Sequence, residues 1–292
     1  MGDADTTYDF EQIPRLLRPV VDGEADIVMG SRLDGTIREG AMPALHRYVG
    51  NPLLTKFLNV FYGVNVSDAH SGFRVFHRDI LDQISLESTG MEFASEMVMA
   101  AGARGLTIEE VPITYHQRAG EATLDSFSDG WRHVRFMLLN APGYLFSVPG
   151  VLLGVVGLSV MGLAMTGASI FGASFGVHSM IAGSLLTLVG YQVTSMGVFA
   201  ILATDPIKRP KDAITDWIVE HVSLELGATV GTLLFAIGCT YAGALVIQWI
   251  SSGFTALPLL TADILAFTTI VLGVQTVFSA FFMSAIAQRG IT

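Results

Sequence analysis

Two aspartates separated by one residue stand near the start of the sequence, as Asp3 and Asp5 of "GDAD". At the end of an extended strand, side chains two residues apart point to the same side, so the two carboxylates could share one divalent cation. A hard cation such as Mg²⁺ or Mn²⁺ prefers oxygen ligands, and such a cation neutralises a diphosphate leaving group. The same spacing is common in turns and helix caps, so the motif alone does not choose between these roles.

Four further motifs follow this pair: "DIVMGSRL" at residues 26–33, "SDAHSGFRVFHRD" at 67–79, "GMEFASEM" at 90–97 and "IEEVPITYHQRAGE" at 108–121. Taken singly, Arg32, Arg47 and Arg74 are more readily explained as surface ion-pair residues than as ligands of a phosphate or sugar. Glu109 and Glu110 are predicted to form a solvated strand edge. The histidines of this region show no spacing typical of a zinc site.

The first 140 residues alternate between short β-like runs and helical patterns. Strands are predicted at residues 25–30 ("ADIVMG") and 106–115 ("LTIEEVPITY"). Two segments with helical periodicity lie between them and end at Gly63 and Gly105, residues suited to helix C-caps. This alternation predicts an α/β sandwich over residues 1–140.

Four long apolar runs occupy the rest of the chain, at about residues 144–165, 180–203, 229–250 and 264–287, and none contains Asp, Glu, Lys or Arg. Each is about 20 residues or more, which is the length that spans a hydrocarbon core of about 30 Å. A soluble helical bundle would show a charged face. The pattern therefore predicts an all-α membrane domain of four transmembrane helices over residues 141–292, in agreement with a mean hydropathy of +0.55.

The basic residues predict the orientation of these helices. Lys208, Arg209 and Lys211 lie between the second and third runs, Arg289 follows the fourth, and the other two loops contain no Lys or Arg. The positive-inside rule places the first domain, the middle loop and the C-terminus in the cytoplasm, as expected for a protein of the cell membrane. The segment 129–146 is predicted to end the first domain as an interfacial helix, with simple packing against that domain as the alternative.

The charge balance excludes one class of partner. The chain has 26 acidic against 16 basic residues, a net charge of −10, whereas a nucleic-acid partner requires a basic surface.

The lone cysteine, Cys239, lies inside an apolar run and cannot form an intramolecular disulfide. The sequence leaves open whether the membrane helices also hold a homo-oligomer together.

The ordered set of motifs resembles the family 2 glycosyltransferases of the GT-A fold, specifically the membrane-attached dolichyl- or polyprenyl-phosphate sugar transferases. Such proteins carry D-A-D, G-S-R, D-x-x-S-G-F-R, E-x-x-x-E-like, E-V-P-I and R-x-G-x-S-K segments, and several have four membrane helices. The resemblance covers residues 1–140 and the architecture of the remainder. It implies a partial GT-A sandwich that transfers a hexose from a nucleotide-sugar to dolichyl phosphate at the cytoplasmic membrane face, for glycan assembly and protein glycosylation.

On the donor side, the resemblance implies that Asp3 and Asp5 hold Mg²⁺ or Mn²⁺ and the diphosphate, with Asp5 as the more direct ligand. Asp68 and Arg74 would line the sugar site. Glu96 would lie on a helix under the reaction centre, and Asp68 and Glu96 are the candidate catalytic residues. Whether Asp68 orients the sugar or acts as a base stays open.

On the acceptor side, the resemblance implies that Ser31, Arg32, Arg47 and Arg118 approach the lipid phosphate, with Ser31 and Arg32 in a loop after a strand. Arginine suits bidentate contact with phosphate. A phosphate oxygen is already anionic, so alignment and charge stabilisation matter more than an activated base. Direct attack at the anomeric carbon predicts inversion of configuration.

Two departures from the family pattern stand out. The R-x-G-x-S-K segment has Ala122 and Thr123 at its last two positions, so a positive charge is lost there. The nucleotide-binding half of such a domain precedes D-A-D, so we expect it before Met1, through a start site recorded too late, a true truncation or a second polypeptide. The alternative function is a truncated, non-catalytic membrane paralogue that binds polyprenyl phosphate or a partner protein.

Overall fold

The structure is a computed structural model that describes residues 1–88, 90, 92–119, 126–167, 169–170, 172–203, 212–255 and 260–289. One compact unit contains Met1–Ala141, and a second contains Pro142–Thr204 and Asp212–Thr292. The first unit has the elements α1 (Ile13–Val21), β1 (Ile27–Ile37), α2 (Asn51–Tyr62), β2 (Arg74–Phe76), α3 (Ile80–Gln83), α4 (Glu92–Arg104), β3 (Ile108–Tyr115) and α5 (Ser126–Leu139). The second has α6 (Val148–Thr166), β4 (Ser169–Ile170), β5 (Ala173–Ser174), α7 (Val177–Ala203), α8 (Ala213–His221), α9 (Leu224–Ser251) and α10 (Leu260–Arg289).

The first unit is built on a three-stranded sheet in the order β2-β1-β3, in which β1 runs antiparallel to β2 and parallel to β3. Ile27, Val28 and Met29 of β1 are at most 1% exposed. A central strand covered on both faces favours such a continuous apolar run. The predicted strand at residues 25–30 is confirmed in its core, but its predicted end is wrong because β1 continues to Ile37.

An irregularity in the sheet explains why β1 is longer than predicted. The ladder pairs Ser31 with Pro112 and resumes at Thr36 with Thr114, so residues 32–35 stand opposite Ile113 alone. A Cβ atom at Gly35 would collide with the backbone of Ile113, so this close approach requires glycine. Such a bulge redirects side chains, and it places Ser31 and Arg32 within the strand rather than in a loop after it.

Helices cover the sheet and extend the core. α1 packs on the strands through the fully buried Leu16, which joins a cluster with Tyr8, Val28 and Phe73. On α4 the run from Ser95 to Ala101 is buried. The predicted ends of α2 and α4 are confirmed: Gly63 and Gly105 follow them with φ of +65° and +68°, the left-handed region that favours glycine. The chain is thus α/β in its first part, as predicted.

Four helices among the described residues are long and apolar enough to cross a membrane: Gly143–Thr166, Val177–Ala203, Leu224–Ser251 and Thr261–Ala287. Each has 24 to 28 residues, which exceeds the roughly 20 needed for a bilayer. This confirms the predicted all-α membrane region with four helices. The basic loop that determines the predicted orientation, with Lys208, Arg209 and Lys211, lies outside the described residues.

The membrane helices pack as two hairpins, α6 with α7 and α9 with α10, and α7 also contacts α10. Glycines lie where the backbones approach most closely. A Cβ atom at Gly190 of α7 would lie 2.6 Å from the carbonyl oxygen of Gly150 on α6, and one at Gly157 would lie 2.6 Å from that of Gly183. Small residues at such positions let lipid-embedded helices gain van der Waals contact.

We expect Gly190→Leu to destabilise the α6/α7 hairpin by about 3 kcal/mol, because a side chain there meets backbone that cannot move aside. The matched control is Gly162→Leu on α6, where a Cβ atom meets open space. Thermal unfolding of both variants in detergent, followed by fluorescence-detected size exclusion, measures the difference. Equal unfolding temperatures for the two variants would show that the close approach is not essential.

Candidate active site

The N-terminal segment lies alongside the end of β3, and this pairing positions Asp5. Tyr8 forms an antiparallel bridge with Tyr115, and the backbone N–H of His116 donates to the carbonyl oxygen of Thr7 at 2.9 Å. The N–H of Ala119 donates to the carbonyl oxygen of Asp5 at 3.1 Å. The pairing brings Asp5 next to Arg118, a residue 113 positions away in sequence.

The carboxylate of Asp5 is held from two sides. Its Oδ1 accepts hydrogen bonds from the backbone N–H and the hydroxyl of Thr7, at 3.2 and 2.5 Å. Thr6, which lies between the two residues, has a φ of +66°. Its Oδ2 accepts from Nε of Arg118 at 2.7 Å. Burial alone would raise the pKa of Asp5, but the bonds from Thr7 and Arg118 outweigh it and lower the pKa below the ordinary value, so the group is ionised at neutral pH.

Asp3 lies against the loop that precedes β2. A Cβ atom at Gly72 would come within 2.8 Å of Oδ2 of Asp3, so the carboxylate of Asp3 lies close to the backbone of this loop. The N–H of Gly72 donates to the hydroxyl oxygen of Tyr8 at 2.8 Å, which ties the loop to the N-terminal segment. The motifs D-A-D and S-G-F, which are far apart in sequence, therefore meet in space.

The two aspartates fit a divalent cation in the chemistry of their oxygen atoms. Asp3 is exposed, and Asp5 keeps acceptor capacity beside its bonds to Thr7 and Arg118. Among the described residues no group of three or more His, Cys, Asp or Glu side chains could hold a metal ion. Mg²⁺ is commonly bound through one or two carboxylates together with substrate phosphates and water, so two aspartates are a sufficient protein contribution.

A second polar centre is the buried ion pair of Arg32 and Asp68. Nε and Nη2 of Arg32 donate to the two carboxylate oxygens of Asp68, each at 2.7 Å, and the backbone N–H of Arg32 donates at 3.0 Å. Asp68 is inaccessible and Arg32 is 8% exposed. Burial would raise the pKa of Asp68, but the bonds and charge of Arg32 outweigh it and lower the pKa, so the pair stays charged. Arg32 also lies over the ring of Tyr115, 5.3 Å from its centroid.

Glu110 holds the loop that carries Asp68, and the prediction of a solvated strand edge is wrong for this residue. Its carboxylate accepts from the backbone N–H groups of Ser67 and Asp68 at 2.5 and 2.9 Å. Burial raises the pKa of Glu110. The hydroxyls of Ser31 and Ser67 are 2.6 Å apart, which links β1 to the same loop.

Arg74 is fully buried and is used within the protein. Its guanidinium donates to the carbonyl oxygens of Ala69, Ser71 and Ala94, each at 2.8 Å. Burial lowers the pKa of Arg74 to about 10. In this structure Arg74 therefore shapes the loop around Asp68 and joins it to α4, and its predicted place in the sugar site stays a prediction.

The remaining predicted site residues lie elsewhere in the first unit. Glu96 of α4 is 2% exposed, and its carboxylate accepts from the backbone N–H groups of Glu87 and Ser88 at 2.8 to 3.2 Å. Arg47 lies on a π-helical turn, His46–Gly50, and its guanidinium lies over the ring of Tyr48. The structure thus brings Asp5 to Arg118, places Asp3 beside Gly72, and joins Arg32 to Asp68 and Ser31 to Ser67. The departure at Ala122 and Thr123 lies outside the described residues.

Family models match two parts of the chain. The model described as glycosyl transferase family 2 matches residues 2–85, which include both polar centres except for Arg118 and Glu110. The model described as the glycosyltransferase family 2 C-terminal transmembrane region matches residues 200–287.

Three curated relatives, all from Haloferax volcanii, are similar to the chain. The low-salt glycan biosynthesis hexosyltransferase Agl6 is 55% identical over 288 residues, which is 99% of this chain and 70% of the relative. The dolichyl-phosphate hexose transferase is 38% identical over 131 residues, 44% of this chain and 54% of the relative. The glycosyltransferase AglJ is 31% identical over 210 residues, 69% of this chain and 67% of the relative.

Proposed function

This chain belongs to glycosyltransferase family 2 and is an integral membrane glycosyltransferase, and from that premise we propose that it transfers a hexose from a nucleotide-sugar to dolichyl or another polyprenyl phosphate. The observation that carries the proposal is the similarity to the hexosyltransferase Agl6, which extends through 99% of the chain and so includes the polar motifs and the membrane helices. The name of the dolichyl-phosphate hexose transferase supports the acceptor class.

We assign the donor side to Asp3 and Asp5. They would hold Mg²⁺ or Mn²⁺, and when bound this cation supplies positive charge that offsets the diphosphate leaving group. Arg118, paired with Asp5 at 2.7 Å, acts with Thr7 to keep that carboxylate ionised. Asp3 lies beside Gly72, in the loop that follows Asp68, so the donor side would adjoin that loop.

The reaction that fits this arrangement is an inverting displacement. An oxygen of the acceptor phosphate attacks the anomeric carbon, and the bond to the nucleoside diphosphate breaks. The nucleophile is already anionic, so the residues of the chain act by alignment and charge stabilisation. Our candidates for binding the acceptor phosphate are Ser31, Arg32, Arg47 and Arg118. Our candidates for the sugar site are Asp68 and Arg74, with Glu96 on a helix under the reaction centre.

We propose that the catalytic region and both ends of the chain face the cytoplasm and that the product feeds protein glycosylation. The boundary between the two regions would lie near residue 140. The excess of Lys and Arg between the second and third membrane helices supports this orientation. A membrane-anchored catalytic domain can meet an acceptor that cannot leave the bilayer.

The function is tested with proteoliposomes that contain the full chain and polyprenyl phosphate. Labelled nucleotide-hexoses are added with Mg²⁺, with Mn²⁺ or with a chelator, and the lipid fraction is extracted and counted. We expect label in the lipid fraction that depends on both the acceptor and a divalent cation. Label that enters lipid equally without polyprenyl phosphate would contradict the proposed acceptor, and full activity in chelator would contradict the metal.

A further inference from the structure

Two histidine rings meet beside the loop that carries Asp68, residues 67–73, which we call the Asp68 loop. The ring centroids of His70 and His133 are 4.9 Å apart and the rings stand at 83° to each other, which is an edge-to-face contact. His70 belongs to the Asp68 loop, and His133 is a residue of α5 that is 6% exposed. The contact of the two rings therefore joins this loop to α5.

The imidazole of His70 is enclosed without a polar partner among the described residues. Both of its ring nitrogens are inaccessible to solvent and make no hydrogen bond with the part of the chain that the structure describes. The backbone on either side is fixed, since Arg74 donates to the carbonyl oxygens of Ala69 and Ser71. A buried polar group without a partner costs free energy, so this ring brings the closed and open states of the loop closer in stability.

The surroundings of His70 oppose a positive charge on its ring. Burial lowers the pKa of His70 most strongly, and three nearby groups lower it further, to about 3: His133, Arg32 and Arg74. The carboxylate of Asp68 acts in the opposite direction, but it is already bonded to the guanidinium of Arg32. The ring is therefore neutral in the closed loop at ordinary pH.

The charged groups of α4 and α5 near the two rings already have partners. The hydroxyl of Ser95 on α4 lies 3.4 Å from Nδ1 of His133. The neighbouring Glu96 accepts from backbone N–H groups of the segment before α4, and Glu92 lies 3.6 Å from Arg132 of α5. Because each of these carboxylates is engaged, a proton added to the histidine pair would be an uncompensated buried charge.

α2 and β3 also face the Asp68 loop. On α2, Oγ1 of Thr55 accepts from the N–H of Ala69 at 3.2 Å. Burial raises the pKa of Tyr62 on the same helix, so its hydroxyl stays neutral. On β3, the carboxylate of Glu110 is bonded to N–H groups at the start of the loop. These groups hold the backbone of the loop and supply no separate counter-charge for the ring.

We propose that the contact of His70 with His133 is a proton-sensitive switch, which holds the Asp68 loop against α5 while the ring of His70 is neutral and releases the loop when that ring is protonated. A charged imidazole has to reach water, because an unpaired buried charge costs more free energy than an edge-to-face contact supplies. Release of the loop displaces Asp68 and also the backbone of Gly72, beside which Asp3 lies. Acid therefore opens the catalytic unit at this loop.

The pH range of the release follows from the two states of the loop. An imidazole in water has a pKa of about 6.5, whereas the closed loop lowers the pKa of His70 to about 3. The closed loop keeps its full stability above about pH 6.5 and loses stability as the pH falls below that value, because only the open loop then binds the proton. Between pH 7.5 and pH 5.5 the open fraction should rise about tenfold.

Amide hydrogen exchange of the full chain in lipid nanodiscs measures the opening. The N–H groups of Ala69 and Gly72 are hydrogen-bonded in the closed loop, to Thr55 and to Tyr8, so their exchange reports its release. Mass spectrometry of the peptide with residues 67–73 is compared at pH 7.5 and pH 5.5, with exchange times scaled to the intrinsic rates. We expect the open fraction of the loop to rise at least about tenfold, and that of the buried run of α4 to stay within about twofold.

His70→Phe identifies the group that takes up the proton. It keeps an aromatic ring against His133 but cannot be protonated, so we expect the rise in open fraction to be at least about threefold smaller than in the parent. Burial raises the pKa of Glu110, which also gains a proton in acid, but this residue is present in both proteins. The matched control is His77→Phe, at an exposed histidine, which should respond like the parent.

Three outcomes would overturn the proposal. An unchanged open fraction in the parent would show that acid does not release the loop, and an equal rise in the parent and in His70→Phe would assign the release to other groups. Equal loss of protection in the loop and in α4 would show that the whole unit unfolds. His70→Gln, which is also uncharged, carries the same expectation if the phenylalanine variant does not fold. The measurement needs neither donor nor acceptor, so its result is independent of the proposed sugar transfer.

Discussion

Asp5→Ala should lower the rate of sugar transfer by at least about a hundredfold, because it removes the proposed metal ligand and leaves Arg118 without the carboxylate that it contacts. The lost interaction acts on the negative charge that develops on the leaving diphosphate. We expect the loss mainly in kcat, since that charge is greatest in the transition state. Initial rates at saturating donor and acceptor, with Mg²⁺ or Mn²⁺ varied, give the measurement.

Asp9→Ala is the matched control for this substitution. Asp9 lies on the same segment. Among the described residues, its carboxylate accepts local bonds at the start of the following helical turn, from the N–H of Glu11 and the side chain of Gln12. Its loss should leave the rate of transfer within a fewfold of the parent protein. An Asp5→Ala protein as active as the Asp9→Ala protein would remove Asp5 from the metal site.

Asp68→Asn should lower the free energy of unfolding of the catalytic unit by about 3–5 kcal/mol. The substitution preserves the shape of the side chain but leaves the buried guanidinium of Arg32 without an opposite charge. Thermal unfolding in detergent, monitored by near-ultraviolet circular dichroism, measures the loss. Asp79→Asn, at a largely exposed carboxylate, is the control and should unfold like the parent.

A double substitution separates charge from packing at this pair. Replacing Arg32 by methionine in the Asp68→Asn background removes the unpaired charge, so the double variant should be more stable than Asp68→Asn alone. If the two substitutions destabilise additively, the pair is not coupled and the structural role that we assign to it is wrong.

The sequence predicted the local features well. The buried core of β1, the glycine caps of α2 and α4 and the four membrane helices each follow from a pattern within one short segment. β1 continues to Ile37 because, beyond the bulge, it pairs with β3, more than 70 residues later in the chain. The local pattern of "GSRLDGTI" does not indicate this pairing. Arg32 was consequently predicted in a loop and lies in a strand.

The site shows the same division between residue type and tertiary contact. The resemblance named four of the site residues but did not predict that they form two ion pairs, Asp5 with Arg118 and Arg32 with Asp68. Glu110 was predicted at a solvated edge because a carboxylate on a strand usually faces water. Its carboxylate instead accepts hydrogen bonds from the backbone N–H groups of Ser67 and Asp68, about 40 residues earlier in the chain. The fold alone brings these groups close to Glu110.

The central claim is that this chain joins one hexose to one polyprenyl phosphate. The most direct measurement is mass spectrometry of the lipid product formed by the purified full chain, together with the amount of nucleoside diphosphate released. We predict a single lipid product heavier than the acceptor by one anhydrohexose, with one nucleoside diphosphate released per product. Release of nucleoside diphosphate with free hexose and no modified lipid would contradict the claim, as would a product that contains a second phosphate.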